Sequence, residues 1–161
     1  MGDAGRSPQR AAVVVAYDGS VPATAAVRWA AQESLADQRP LEVVVAWRRA
    51  LTGRGKTAGD NFARGLAQVL ADRAVALARE VLGGSAPIRS SVVHGPAAGA
   101  VRARAGRAHL LVMGTSGHLG PLGALLGSVS RDVVRHVDVP VVLLGPHAAA
   151  YLETLDVNED L

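Results

Sequence analysis

"HLLVMGTSGHLGPLGALLGSVS", residues 109 to 130, joins an apolar run (109 to 113) through five glycines to a segment with helical spacing. The run is apolar without alternation, the pattern of a strand buried on both faces. Three other runs share it: "AAVVVA" (11 to 16), "LEVVVAW" (41 to 47) and "PVVLL" (140 to 144). A fifth, "IRSSVV" (88 to 93), is more polar and suits the edge of a sheet.

Helical patterns lie between these runs. Ser20 is placed to cap a helix with Pro22 in its first turn and Val27, Ala30, Ala31 and Leu35 on the inner face. Asp60 is placed to cap a longer one, with an inward stripe Phe62, Leu66, Val69, Leu70, Leu77 and Val81 that ends at Gly83 and Gly84. Pro96 opens a third helix, which carries Val101 and closes near Gly106. Ser128 is expected to cap a fourth, with Val129, Val133, Val134 and Val137 inward. Strands alternating with helices predict an α/β domain, a parallel sheet with right-handed crossovers and helices on both faces. In such sheets ligands bind beyond the carboxyl ends of the strands, where the winding reverses. The loops after residues 16, 46, 93 and 113 are therefore the places to look.

The composition agrees with one domain. At 161 residues, ~68% of the unfolded surface can be buried. The apolar residues are mostly Ala, Val and Leu, with only one Phe, two Trp and two Tyr, so base-stacking platforms are not expected. Net charge is +3, and the arginines are scattered along the chain, which argues against a nucleic-acid partner. The absence of cysteine excludes disulfides, thiolate nucleophiles and Cys-ligated zinc. No run approaches the ~18 to 20 apolar residues of a membrane span, and residues 1 to 10 lack the apolar segment of a secretion signal. A cytoplasmic protein with no membrane partner is expected. Residues 1 to 10 read as a tail, 11 to 146 as the domain, and 147 to 161, with four acids and no base after residue 152, as an acidic solvated tail.

The glycine segment follows a strand end and precedes a predicted helix start. Glycine suits a loop that needs positive φ or whose backbone amides press against an anion. Thr115, Ser116, Ser128 and Ser130 add hydroxyls, and a helix beginning near Ser128 offers free N–H groups and a positive dipole end. These features suit phosphate; glycines serving only turns and helix packing are the plainer alternative.

Gly114-x2-Gly117-x9-Gly127-Ser128 resembles the G-2x-G-9x-G-(S/T) signature of the universal stress protein family. "VVVAYDGS", "VVHGPAAGAV", "LLVMGTSG" and "VPVVLL" are similar to the family's blocks in order, over about residues 11 to 145. The resemblance implies a Rossmann-like sheet of order 3-2-1-4-5 that binds ATP, with Mg²⁺ as a possible companion. It implies that Asp18 contacts the nucleoside, that the backbone at Ala16 and Ala46 lines an adenine pocket, and that Met113 lies beneath it. Gly114, Gly117, Gly127, Ser128, Val129 and Ser130 carry over as ribose and phosphate contacts. For Asp18 the plainer role is a turn residue in "YDGS". The resemblance further implies a homodimer through the fifth strand, an unidentified regulatory partner, and at most slow hydrolysis. Two departures stand out: His109 where many members have Asp, and His118 where many have Arg.

Rival motifs are weaker. "ALTGRGKT", residues 50 to 57, fits a relaxed P-loop with Lys56, the sole lysine, but Arg48 and Arg49 follow the strand and "AGD" parts Thr57 from the expected helix start. The five histidines form no H-x-x-x-H pair. G-x-S-x-G is absent, and no catalytic triad can be nominated. A binding module is favoured over an efficient enzyme, with a P-loop phosphotransferase, a cyclic-AMP receptor and a ligand-free interaction protein as alternatives.

Overall fold

The computed structural model describes residues 10–49, 56–115 and 127–148, together with 150 and 152. The elements run β1 (Val13–Ala16), α1 (Val21–Ala36), β2 (Leu41–Trp47), α2 (Lys56–Leu82), β3 (Ile88–His94), α3 (Ala97–Ala105), β4 (Leu110–Gly114), α4 (Ser128–His136) and β5 (Val141–Leu144). The five strands are all parallel, in the order β3-β2-β1-β4-β5. The polar run read as an edge strand is indeed one edge. At the centre, Val15 pairs in register with Val43 on one side and Val112 on the other.

Alternation along the strands feeds two cores. Val13 and Val15 of β1, with Leu41, Val43 and Val45 of β2, pack under α1 and α2; Val14, Val44, Leu111 and Met113 pack under α3 and α4. Burying each such aliphatic side chain is worth ~1.5–3 kcal/mol, which is why unbroken valine runs are tolerated only in a sheet covered on both faces. Ala148 and Leu152 pack on the α1 side. No helix among the described residues is long and apolar enough to cross a membrane.

Helix α1 begins as its sequence predicts: the Ser20 hydroxyl accepts the Ala23 N–H at 3.3 Å and Pro22 sits in the first turn. Such a cap contributes ~1 kcal/mol. Four expectations need correction. Leu35 is exposed at the end of α1, where buried Ser34 instead donates its hydroxyl to Arg39 O and turns the chain toward β2. Helix α2 already includes Lys56, so Asp60 lies inside it and pairs with Arg49 at 2.9 Å rather than capping. Lys56 and Thr57 also lie within α2, so no gap separates the pair from the helix. Ser128 is the first residue of α4, and the cap is Gly127; Val134 of this helix is exposed.

The stripe on α2 is the largest departure. Phe62, Leu66 and Val69 are 75%, 53% and 63% exposed, whereas Ala67, Ala71, Ala74, Ala78 and Leu82 are buried. The small side chains win the inner face because α2 lies against the alanine-rich α1 as well as the sheet, and alanines let the two helices approach closely. Leu70, Leu77 and Val81 are partly buried at the margin of that contact.

Candidate functional site

The strand order reverses between β1 and β4, whose crossovers leave on opposite faces, and a crevice opens at their carboxyl ends. A cavity of about 230 Å³ lies there. Nine of the ten positions carried over from the family signature line it: Ala16, Asp18, Ala46, Met113, Gly114, Gly127, Ser128, Val129 and Ser130. The tenth, Gly117, lies outside the described residues, as do Ser116 and His118.

The walls divide by chemistry. Ala16, Val44, Ala46, Val101, Met113 and Val129 make an apolar slot on the α3/α4 side of the sheet. Ala97 and Val101, one turn apart on α3, and Val44 are contributions that the sequence reading did not select. The signal was present as an i, i+4 apolar pair at the start of a helix that follows a strand's carboxyl end. Tyr17, Ser20, Ala23 and Thr115 also line the cavity.

Asp18 holds two positions at once. Its Oδ1 accepts the Ser20 N–H at 3.0 Å, the side-chain turn expected of an Asp-Gly pair, and Gly19 follows at φ 84°. The carboxylate is exposed at the cavity rim and is the one charged side chain among the described lining residues.

The two glycines that bracket the loop differ in kind. A Cβ on Gly114 would collide with the backbone of Pro22 and Ala23, the first turn of α1. Glycine is thus required there by the protein's own packing of β4 under α1. Gly127 has φ −62°, ordinary for any residue, and a Cβ there would meet nothing within 4 Å. Neither strain nor crowding inside the described protein demands glycine at this position; the space its missing side chain leaves belongs to the cavity.

Helix α4 begins at that space without a side-chain cap. Its first intrahelical bond is Arg131 N–H to Gly127 O at 3.0 Å, so the N–H groups of Ser128, Val129 and Ser130 precede the ladder. The Gly127 N–H reaches the Thr115 hydroxyl only at 3.5 Å. Thr115 itself is buried, with its N–H bonded to Leu144 O at 2.8 Å, so it ties β4, β5 and the start of α4 together. Main-chain donors and the positive end of a helix dipole therefore border the cavity that Asp18 also lines, an arrangement suited to an anion.

The four described histidines, His94, His109, His136 and His147, do not line this crevice. His94 lies against Trp47 across β2–β3, with ring centroids 4.6 Å apart. His109 pairs with Asp37 at 3.0 Å at the amino end of β4, a surface contact. No group of three metal-ligating side chains occurs among the described residues.

The fold and the switch-point crevice define a Rossmann-like α/β protein with an open site at the carboxyl edge of its sheet. Residues 10–145 match the family model described as "Universal stress protein family", and the chain belongs to that family. Among solved structures it resembles a universal stress protein in complex with cAMP, at 26% identity and TM-score 0.64, covering 84% of this chain and 96% of that one. A universal stress protein from Archaeoglobus fulgidus is 27% identical with TM-score 0.64, covering 83% of this chain and 98% of that one. One from the same organism in complex with dAMP is 26% identical with TM-score 0.61, covering 84% and 98%.

Proposed function

We propose that this chain is an ATP-binding regulatory module of the stress response, in which an adenine nucleotide occupies the β1–β4 crevice. The observation that carries the reading is the uncapped start of α4: a cap glycine with open space at its Cβ, three main-chain N–H groups ahead of the helical ladder, and an apolar slot beside them. Adenine enters the slot between Ala16, Ala46 and Met113, Asp18 takes a ribose hydroxyl or the adenine amino group, and the phosphates lie over Gly127, Ser128, Val129 and Ser130, with Gly114 and Gly117 beneath the ribose and phosphates. Mg²⁺, where present, arrives on the phosphates. The cAMP and dAMP complexes of related proteins support an adenylate in this crevice.

The protein acts as a cytoplasmic homodimer paired through β5, whose Val141, Val142 and Leu143 are only partly buried and whose outer edge carries no strand among the described residues. Nucleotide occupancy changes the dimer or its contact with a regulatory protein. Hydrolysis is slow at most, since no general base stands in the described cavity wall apart from Asp18, which is held in its turn.

Mass spectrometry of small molecules released from the purified, denatured protein should return an adenine nucleotide. A second reading, a P-loop site at Lys56, gains from that residue lying in α2. The two separate cleanly in a thermal-shift assay with ATP. The crevice reading predicts that Gly127→Val removes the shift and Lys56→Ala leaves it; the P-loop reading predicts the reverse. No shift in the parent protein would mark a ligand-free interaction protein, and a larger shift with cAMP than with ATP a cyclic-nucleotide receptor.

A further inference from the structure

At the opposite end of the sheet the fold gathers charge that the sequence scatters. A groove of about 870 Å³ runs along the α3 side of the amino ends of β1 to β3. Arg10, Arg89, Arg104 and Arg107 line it, and Glu42 is the one acid among the lining residues. The whole chain has 17 basic and 14 acidic residues, so a ratio of four to one is a local concentration. It shares no lining residue with the crevice.

Its floor is organised. Glu42 pairs in register with Val14 on one side and Arg89 on the other, so the three side chains share one face of adjacent strands. The Glu42 Oε1 accepts the Ser91 hydroxyl at 2.7 Å and lies 3.4 Å from Arg104 Nη1. The single acid is thereby partnered within the protein by Ser91 and Arg104. Arg10, Arg89 and Arg107 are exposed and make no ion pair among the described residues; Arg10 donates only to the Asp37 carbonyl, at 3.3 Å. These guanidinium groups line one groove with no acid paired to them among the described residues, and like charges gathered in this way repel, the more so at low salt. An anion placed among them relieves that repulsion, and the forked geometry of arginine suits phosphate oxygens.

We propose that this groove is a second ligand site, for a compact polyanion of the polyphosphate class. The lining holds no aromatic side chain for base stacking, and it sets a carboxylate into the floor, both unfavourable to a nucleic acid strand. A small phosphorylated molecule can seat its charges on Arg89, Arg104 and Arg107 while leaving Glu42 to Ser91.

The test is calorimetric titration of the full chain with inorganic tripolyphosphate, in parent protein, in Gly127→Val, and in Arg89→Glu/Arg107→Glu alone and combined with Gly127→Val. The expected result is a tripolyphosphate site that persists in Gly127→Val, where the crevice is blocked, and that weakens at least tenfold when the double charge reversal is added to that variant, while adenine nucleotide binding is unchanged in the double charge reversal alone. Should the double reversal fail to fold by circular dichroism, Arg107→Gln, in an exposed residue beyond the end of α3, serves in its place with an expected loss of several-fold. Absence of heat in the parent protein, loss of the heat in Gly127→Val, or equal binding when the reversal is added to Gly127→Val would each overturn the proposal. So would binding of poly-glutamate or RNA at the groove with none of tripolyphosphate.

Discussion

The two ends of one parallel sheet meet solvent with opposite chemistry. The crevice at the carboxyl end offers small and apolar side chains, main-chain N–H groups and, among the described lining residues, a single carboxylate, Asp18. The amino end offers four arginines around one partnered glutamate. Helix α3 runs between them, with Ala97 in the crevice wall and Arg104 near its other end in the groove. The difference teaches that an anion site need not follow the charged residues. In the proposed crevice site, attraction would come from oriented peptide dipoles that are already in place; in the proposed groove site it would come from exposed guanidinium groups.

The crevice depends on backbone approach, and the largest effect is expected where that approach is closest. Gly114→Val forces a branched side chain against Pro22 and Ala23 of α1, and should cost about 3 kcal/mol of stability, the upper range for overpacking. Urea denaturation measures it, and a change below about 1 kcal/mol would show that α1 shifts freely and that the crevice is softer than drawn. Salt should distinguish the two ends next. Raising ionic strength screens exposed charges most, so tripolyphosphate at the groove should weaken steeply between low and physiological salt, whereas a nucleotide held by amides should weaken by less than about twofold. Equal slopes at both ends would erase the contrast. The smallest effect is expected on the outer side of α2. Phe62→Ser changes a side chain that is 75% exposed and should alter stability by under about 0.5 kcal/mol, whereas Leu82→Ala, fully buried in the same helix, should cost about 2–5 kcal/mol.

Much of the fold is legible from residue order. Unbroken valine and leucine runs mark the buried strands β1, β2 and β4, and polar "IRSSVV" marks an edge, whereas "PVVLL", equally unbroken, forms the other edge and is only partly buried. The strand order came from likeness to the family rather than from periodicity, and the sheet agrees with it. Helix faces were harder. On α2 the larger apolar residues draw the eye to one stripe while the alanines decide the packing, since helix-to-helix distance is a tertiary quantity that no local pattern records. The cap of α4 was misplaced by one residue because Ser128 is the better capping side chain; the structure sets glycine at the cap, with no side-chain cap hydrogen bond. Gly114 and Gly127 read alike in the sequence, yet one answers to α1 and the other to open space. The basic groove left no trace, because residues 10, 89, 104 and 107 meet only after the sheet has formed.

The central claim is that main-chain amides at the start of α4 hold the anionic part of a nucleotide. Backbone amide chemical shifts of ¹⁵N-labelled protein, followed while ATP is added, test it residue by residue. The largest changes should fall on Gly127, Ser128, Val129 and Ser130, with smaller ones at Ala16, Asp18 and Ala46, and none at Arg89 or Arg107 at low ATP excess. Changes centred on Lys56 and Thr57, or an unaltered spectrum, would contradict it.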